Sequence, residues 1–281
     1  MDDDNTPPVP RFVIIGAQKS ATRWLRKNLG EHPDIYTPRS EVHFWNVENR
    51  VEKLGLEWYL EQFDGWNGEP IIGEATPGYM IWRHHPDEVA ARMKEHLPDG
   101  RLIALLRNPI DRASSAMLHH IRRGRLPADS RLLDVVRERM PAETDRLCLV
   151  AGGWYAASLE PFLDAFGDAL LVQWQDDIAT DPVSVFDAAV RHIGASPEFR
   201  PSDLSKVVFS NRQSAGSNYE PSAADRVELW EYFRDDVAKL EQLLDVDLSR
   251  WEPTPGDGAA EPEAESNGRR SKWWSRGRSR T

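Results

Sequence analysis

Four short apolar runs, "RFVII", "EPIIG", "RLIALL" and "ALLVQW", are separated by stretches with helical spacing. Each run is too short for a buried helix and has no polar residue at alternate positions, so it reads as a strand covered on both faces. Strands of that kind need helices above and below, which makes a central parallel sheet flanked by helices, the α/β class. The helical stretches are Thr22 to Gly30, Pro86 to His96, Pro109 to Arg123, Trp154 to Phe166 and Pro182 to Ile193. Three of them open on proline, which suits a first helical turn because the missing N–H has no intrahelical partner there. A last helix, Ser222 to Leu244, is expected from the apolar stripe Val227, Trp230, Phe233, Val237, Leu240 and Leu244. There is no internal repeat.

A chain of 281 residues, 40% hydrophobic and 29% charged, suffices for one large domain, expected over 11–251 after a flexible 1–10. From Glu252 to Glu265 the sequence carries five acids among Pro, Gly and Ala; from Arg269 to Arg280 it carries six bases around Trp273 and Trp274. That composition predicts a disordered tail over 252–281, acidic then basic. Its basic end reads as a solvated tail or as a contact for an anionic membrane surface. A net charge of −11 argues against a general nucleic-acid partner. No run of 18 apolar residues is present and "MDDDNTPPVP" lacks a basic-then-apolar pattern, so neither a membrane anchor nor a secretory signal is expected. The single cysteine, Cys148, has no nucleophile context and reads as a small core residue; with the absent signal it leads to an expected cytoplasmic location.

"GAQKSATRWL" joins the first strand to the first helix. Unpaired N–H groups and the positive helix end converge at such a junction, and Gly16, Ala17, Ser20 and Ala21 are small enough for backbone to approach an anion. Lys19 adds a point charge. The stretch is therefore either a phosphate cradle or an ordinary strand-to-helix turn. It is not the nucleoside-triphosphatase loop, which needs G-x-x-x-x-G-K-[ST]. Nor does "LIALLRN" end in a magnesium-binding Asp; it ends in Arg107, a cation, so a second anion is expected and no metal. A helix starting after Asn108 would set Arg112, Ser115 and His119 on one face, with Arg107 and Ser115 gripping one phosphate.

"FVIIGAQKSATRWL" followed by "LIALLRNPIDRASSAM" resembles the 5′-phosphosulfate loop and 3′-phosphate site of sulfotransferases that use 3′-phosphoadenosine 5′-phosphosulfate (PAPS). Within that family the resemblance is to the heparan sulfate N- and 3-O-sulfotransferase branch and its bacterial homologues. "HPDIYTPRSEVHFWN" is similar to a segment ending K-E-x-H-F-F, "GEATPGY" to G-E-K-[ST]-P-x-Y, and "CLVAGGWYAASLEPFLDAFG" to C-L-x-x-G-x-Y. "YFRDDVAKLEQLL" resembles the closing helix, so the likeness runs in order from Arg11 to Trp251.

The resemblance implies a P-loop-like fold and transfer of a sulfuryl group from PAPS, without metal, to a hydroxyl or amine of a carbohydrate or glycoconjugate. It assigns the donor's 5′ end to Gln18, Lys19, Ser20, Ala21, Thr22 and Arg23, and its 3′-phosphate to Arg107 and Ser115. Tyr155 would lie near the nucleotide with Trp154 beside it, and Arg212, in the late loop "SNRQSAGSNYEP", would be a further phosphate contact. Glu41 would be the general base and Lys19 the cation on the leaving oxygen. His43, on the same face of an extended segment, would support Glu41, while His119 and His120 would line the acceptor's path. Four positions depart from the pattern. Arg23 replaces a hydroxyl residue, and Ala21 replaces a glycine, which is tolerable only if φ stays negative there. Ser40 and Ala75 each replace a lysine, and Arg23 and Arg39 are expected to supply the missing charge. Two alternatives stay open: a nucleotide kinase with a degenerate loop, and a module that binds the nucleotide without catalysis.

Overall fold

All four expected strands form, and a fifth joins them. The computed structural model describes residues 7–139, 145–205 and 219–254. The strands are β1 (Phe12–Gly16), β2 (Ile35–Tyr36), β3 (Ile71–Ala75), β4 (Arg101–Leu106) and β5 (Leu170–Trp174), in the order β2-β3-β1-β4-β5, and every pairing is parallel. The helices are α1 (Thr22–Leu29), α2 (Arg50–Glu61), α3 (Pro86–His96), α4 (Pro109–Arg122), α5 (Leu132–Arg139), α6 (Tyr155–Phe166), α7 (Gln175–Thr180), α8 (Pro182–Ile193), α9 (Ala223–Trp230) and α10 (Arg234–Leu244).

The pleat divides the apolar runs between two cores. Phe12 and Ile14 of β1 and Ile103 and Leu105 of β4 face one core, which α1 and α8 close with Trp24, Leu25, Phe186 and Val190. Val13, Ile15, Leu102, Ala104 and Leu106 face the other, with α3, α4, α6 and α10 over them. No polar residue interrupts β1 or the buried part of β4 because neither face meets water there.

β1 is the central strand. From it the chain goes first to β2 and β3 on one side and then crosses to β4 and β5 on the other. At such a reversal the connections leave a crevice beyond the strands' carboxyl ends, where ligands bind in open α/β sheets. The peptide after β4 begins α4 under the side chain of Asn108, which accepts hydrogen bonds from the Ile110 and Asp111 N–H groups at 3.0 and 3.4 Å. The Asn108 amide also donates to the Trp251 carbonyl at 2.9 Å, fastening the end of the described chain to the start of α4.

The long closing helix expected over Ser222 to Leu244 is two helices. α9 ends at Trp230, and the Glu231 and Tyr232 N–H groups bond back three residues, tightening the turn until it stops. The Trp154 indole N–H donates to the Tyr232 carbonyl at 3.0 Å, so a half-buried tryptophan takes an acceptor that a continuous helix would use itself. The break turns Trp230 and Phe233 into the core and leaves Val227 exposed. Cys148 is half-buried in a turn with φ 52°, not a core residue, and burial pushes its thiol pKa up. Among the described residues no helix is long and apolar enough to cross a membrane.

Candidate active site

Beyond the carboxyl ends of β1 and β4 lies a cavity of about 940 Å³. Its floor is the loop between β1 and α1. Gly16 is required at the start of that loop: a Cβ there would lie 2.1 Å from the Met80 side chain, which packs where β3's continuation crosses β1. Lys19 and Ala21 take positive φ, 74° and 64°. The condition placed on Ala21 is therefore not met: it adopts the left-handed conformation of the glycine it replaces, at a cost of about 1 kcal/mol. Ser20 N–H bonds to the Ala17 carbonyl at 3.2 Å, and the Trp24 and Leu25 N–H groups to the Ala21 carbonyl. The first amides of α1 have no intrahelical acceptor, and Gln18, Lys19, Ala21, Thr22 and Arg23 line the cavity that meets them.

Arg107, at the end of β4, lines the same cavity and reaches across to β1's loop, where its guanidinium donates to the Lys19 carbonyl at 3.3 Å. Ser115 of α4 lines it too. Arg112 does not share that face. It is fully buried, donating to the Cys148 carbonyl at 2.9 Å and to that of Leu149, so the cavity face of α4 runs through Asp111, Ser115, His119 and Arg122 instead. Asp111 pairs with Arg226 of α9 at 2.7 Å.

Glu41 faces this ensemble from the loop after β2. It is exposed, and its carboxylate lies 3.1 Å from His43 Nε2; that bond raises the His43 pKa against the opposing effect of burial. His43 has φ 54°, an uncommon conformation for a non-glycine residue, and its loop is held from several sides. Arg50 donates to the Val42 and His43 carbonyls at 3.3 and 3.1 Å. The Thr76 hydroxyl accepts from the Val42 and His43 N–H groups at 3.0 and 3.4 Å, and the Tyr79 hydroxyl accepts from Phe44 N–H at 3.1 Å. Behind both hydroxyls lies Glu74, wholly buried, which sequence reasoning passed over. The signal was a lone carboxylate at the end of a strand closed on both faces.

Charge in the cavity is uneven. Lys19, Arg23, Arg107, Arg122, Arg123 and Arg226 line it against Glu41, Asp111 and Glu220, six cations and three carboxylates in a chain of net charge −11. Burial lowers the Lys19 pKa to about 8, with Arg122 and Arg112 adding to the shift and Glu41 opposing it. Burial, with Lys19 nearby, lowers His119 to about 4, so its imidazole is neutral near pH 7.

Other expected residues fall elsewhere. Ser20 is buried beneath the loop, away from the cavity lining. Tyr155 is buried behind Arg107 and donates its hydroxyl to the Arg107 carbonyl at 2.9 Å, so it steadies that residue rather than lining the cavity. Trp154 packs over α10's start through its bond to Tyr232. His120 is buried, 3.0 Å from the Leu147 carbonyl. Arg23 lines the cavity but Arg39 does not, and Ala75 packs into the core with Phe12 and Ile14. Arg212, most of its loop and nearly all of the tail lie outside the described residues.

Residues 9–237 match the family described as "Sulfotransferase domain". The chain belongs to the sulfotransferase family. This sulfotransferase is 31% identical to a sulfotransferase from Alicyclobacillus acidocaldarius, whose crystal structure superposes with a TM-score of 0.72 over 87% of this chain and 99% of that one. It is 29% identical over 272 residues to human bifunctional heparan sulfate N-deacetylase/N-sulfotransferase 3, a match covering 84% of this chain and 30% of that protein. A mouse heparan sulfate glucosamine 3-O-sulfotransferase 3A1 is 31% identical over 184 residues, 64% of this chain and 44% of its own length. The sulfotransferase thus spans under half the length of either of these mammalian relatives.

Proposed function

We propose that this sulfotransferase moves a sulfuryl group from PAPS to a hydroxyl or amine on a carbohydrate or glycoconjugate. The carrying observation is that Lys19, Glu41 and the pair Arg107 and Ser115, which come from three separate segments, line one cation-rich cavity at the reversal point of the sheet. Two cationic ends suit a donor anionic at both ends, with the phosphosulfate over the β1 loop and the 3′-phosphate between Arg107 and Ser115. The carbohydrate acceptor follows from the named activities of the mammalian relatives.

In the proposed reaction the acceptor oxygen or nitrogen attacks sulfur in line with the bridging oxygen. Glu41 takes the acceptor's proton, the bond from sulfur to the bridging oxygen breaks, and the electron pair leaves on the phosphate of 3′-phosphoadenosine 5′-phosphate (PAP). Lys19 stabilises that developing charge, and His43, bonded to Glu41, holds the carboxylate in place. Positioning and electrostatics supply the catalysis.

Calorimetric titration with PAP tests the donor site. Binding is expected to persist in EDTA, to weaken at least ~10-fold in Arg107→Ala, where a charge-assisted pair is lost, and to be far weaker for AMP. Equal binding of AMP and PAP, or an Arg107→Ala protein that binds like wild type, overturns the assignment.

A further inference from the structure

The buried carboxylate of Glu74 is not explained by packing. It sits at the end of β3, wholly inaccessible, and receives three hydroxyls: Tyr59 at 3.0 Å and Tyr79 at 2.7 Å on Oε1, and Thr76 at 2.6 Å on Oε2. Burial pushes its pKa up, while the hydroxyls pull it back. A charged group in such a place costs several kcal/mol unless its bonds are satisfied, so the cluster is expensive for a role that apolar residues fill elsewhere in this core.

The direction of the bonds is informative. A hydroxyl has one proton to donate and two lone pairs. An ionised carboxylate only accepts, so it draws the Thr76 and Tyr79 protons inward and leaves their oxygens presented outward as acceptors. Those oxygens take the N–H groups of Val42, His43 and Phe44, three successive amides of the loop that carries Glu41 and His43. The loop needs the restraint, because His43 is in a left-handed conformation and Glu41 is exposed to solvent.

We propose that Glu74 is a positioning residue: through Thr76 and Tyr79 it polarises the acceptors of three consecutive loop amides and thereby fixes Glu41 and His43 over the cavity. The significance of that placement rests on the sulfuryl-transfer reading above; the hydrogen-bond relay itself does not. Glu74→Gln keeps the shape but puts an NH₂ donor against hydroxyls that also donate, so one hydroxyl must reverse and turn its proton toward an amide. Thr76→Val, nearly isosteric, removes the acceptor of two amides and keeps the carboxylate. Tyr59→Phe is the control, since Tyr59 serves the carboxylate and none of the three amides.

Two readouts separate positioning from general stability. In Glu74→Gln the amides on whichever hydroxyl reverses, Val42 and His43 for Thr76 or Phe44 for Tyr79, are expected to exchange at least ~10-fold faster, and Val42 and His43 likewise in Thr76→Val, with Tyr59→Phe near wild type. The NMR titration midpoint of His43 is expected to fall in Thr76→Val, where the Glu41 pairing loosens while the Glu74 charge remains. PAP affinity is expected to stay within about twofold throughout, because the donor loop is untouched. Protection retained in either substituted protein, or lost equally in Tyr59→Phe, overturns the proposal. A wild type that fails to bind PAP would instead overturn the donor assignment and leave the exchange result to decide this one.

Discussion

Lys19 is the residue whose chemistry is most exposed to measurement. Its lowered pKa, about 8, means that between pH 8 and 10.5 the folded protein has released a proton that the unfolded chain still holds. Stability therefore rises with pH through that window, and below pH 8 the charged lysine is a cost to the fold. A phosphate bound against it reverses the preference and draws a proton back. PAP titrations at pH 8.5 in buffers of different ionisation enthalpy are expected to show net proton uptake that vanishes near pH 6.5. No uptake at pH 8.5 would mean that the ligand's phosphate does not reach Lys19. Ala21 makes the related point about backbone: a residue that lacks glycine's freedom is held at φ 64° because the loop's path is set by the strand and helix it joins.

At the scale of elements, α4 carries Ser115, His119 and Arg122 to the cavity, and Asn108 decides where α4 begins. Asn108→Ala removes a helix cap and the tie to Trp251 together. The expected loss is about 1–2 kcal/mol by denaturant titration, with PAP binding weakened more than AMP binding because Ser115 shifts. An unchanged denaturation midpoint would contradict the capping role. The sequence made β1 and β4 legible because a doubly buried strand needs an apolar run, and β3 and β5 because each opens on apolar residues before Glu74 or Gln173 interrupts it. β2 is two residues long and has no such run, and α2 is interrupted by Gly55 at φ 69°, which blurs its periodicity. Arg112 was misplaced for a different reason. It sits at the border of two helix faces, and the carbonyls that draw it inward belong to Cys148 and Leu149, 36 and 37 residues on, where spacing along one helix carries no information. Glu74 stood in plain view in "GEATPGY", but its partners Tyr59, Thr76 and Tyr79 become a cluster only once β3 lies beside the loop over α2.

For the whole molecule, buried and half-buried imidazoles set the response to acid. His84, His119, His120 and His192 all have pKa values lowered first by burial. Each stays neutral in the fold at a pH where the unfolded chain takes up a proton, so stability falls as pH drops through 6.5. His43, Glu74 and Asp236, whose pKa values are raised, act in the opposite sense. Four imidazoles against one decide the sign between pH 7 and 5, and the thermal midpoint is expected to be lower at pH 5. A midpoint that rises toward pH 5 would show that the Glu74 and Asp236 carboxylates dominate.

The central position of β1 has a consequence for biosynthesis. Phe12–Gly16 precedes β3 and β4 in the chain, yet both of its edges are filled by those later strands. The loop after it is not anchored until Leu105 supplies the acceptor for the Ala17 N–H. In synthesis the loop after β1 therefore waits about ninety residues for the strand that anchors it, an interval in which an apolar segment without its neighbours is open to chaperones and other nascent chains. On the proposed function, a donor that binds the completed loop stabilises the folded protein by mass action, so donor supply adds to its folded fraction.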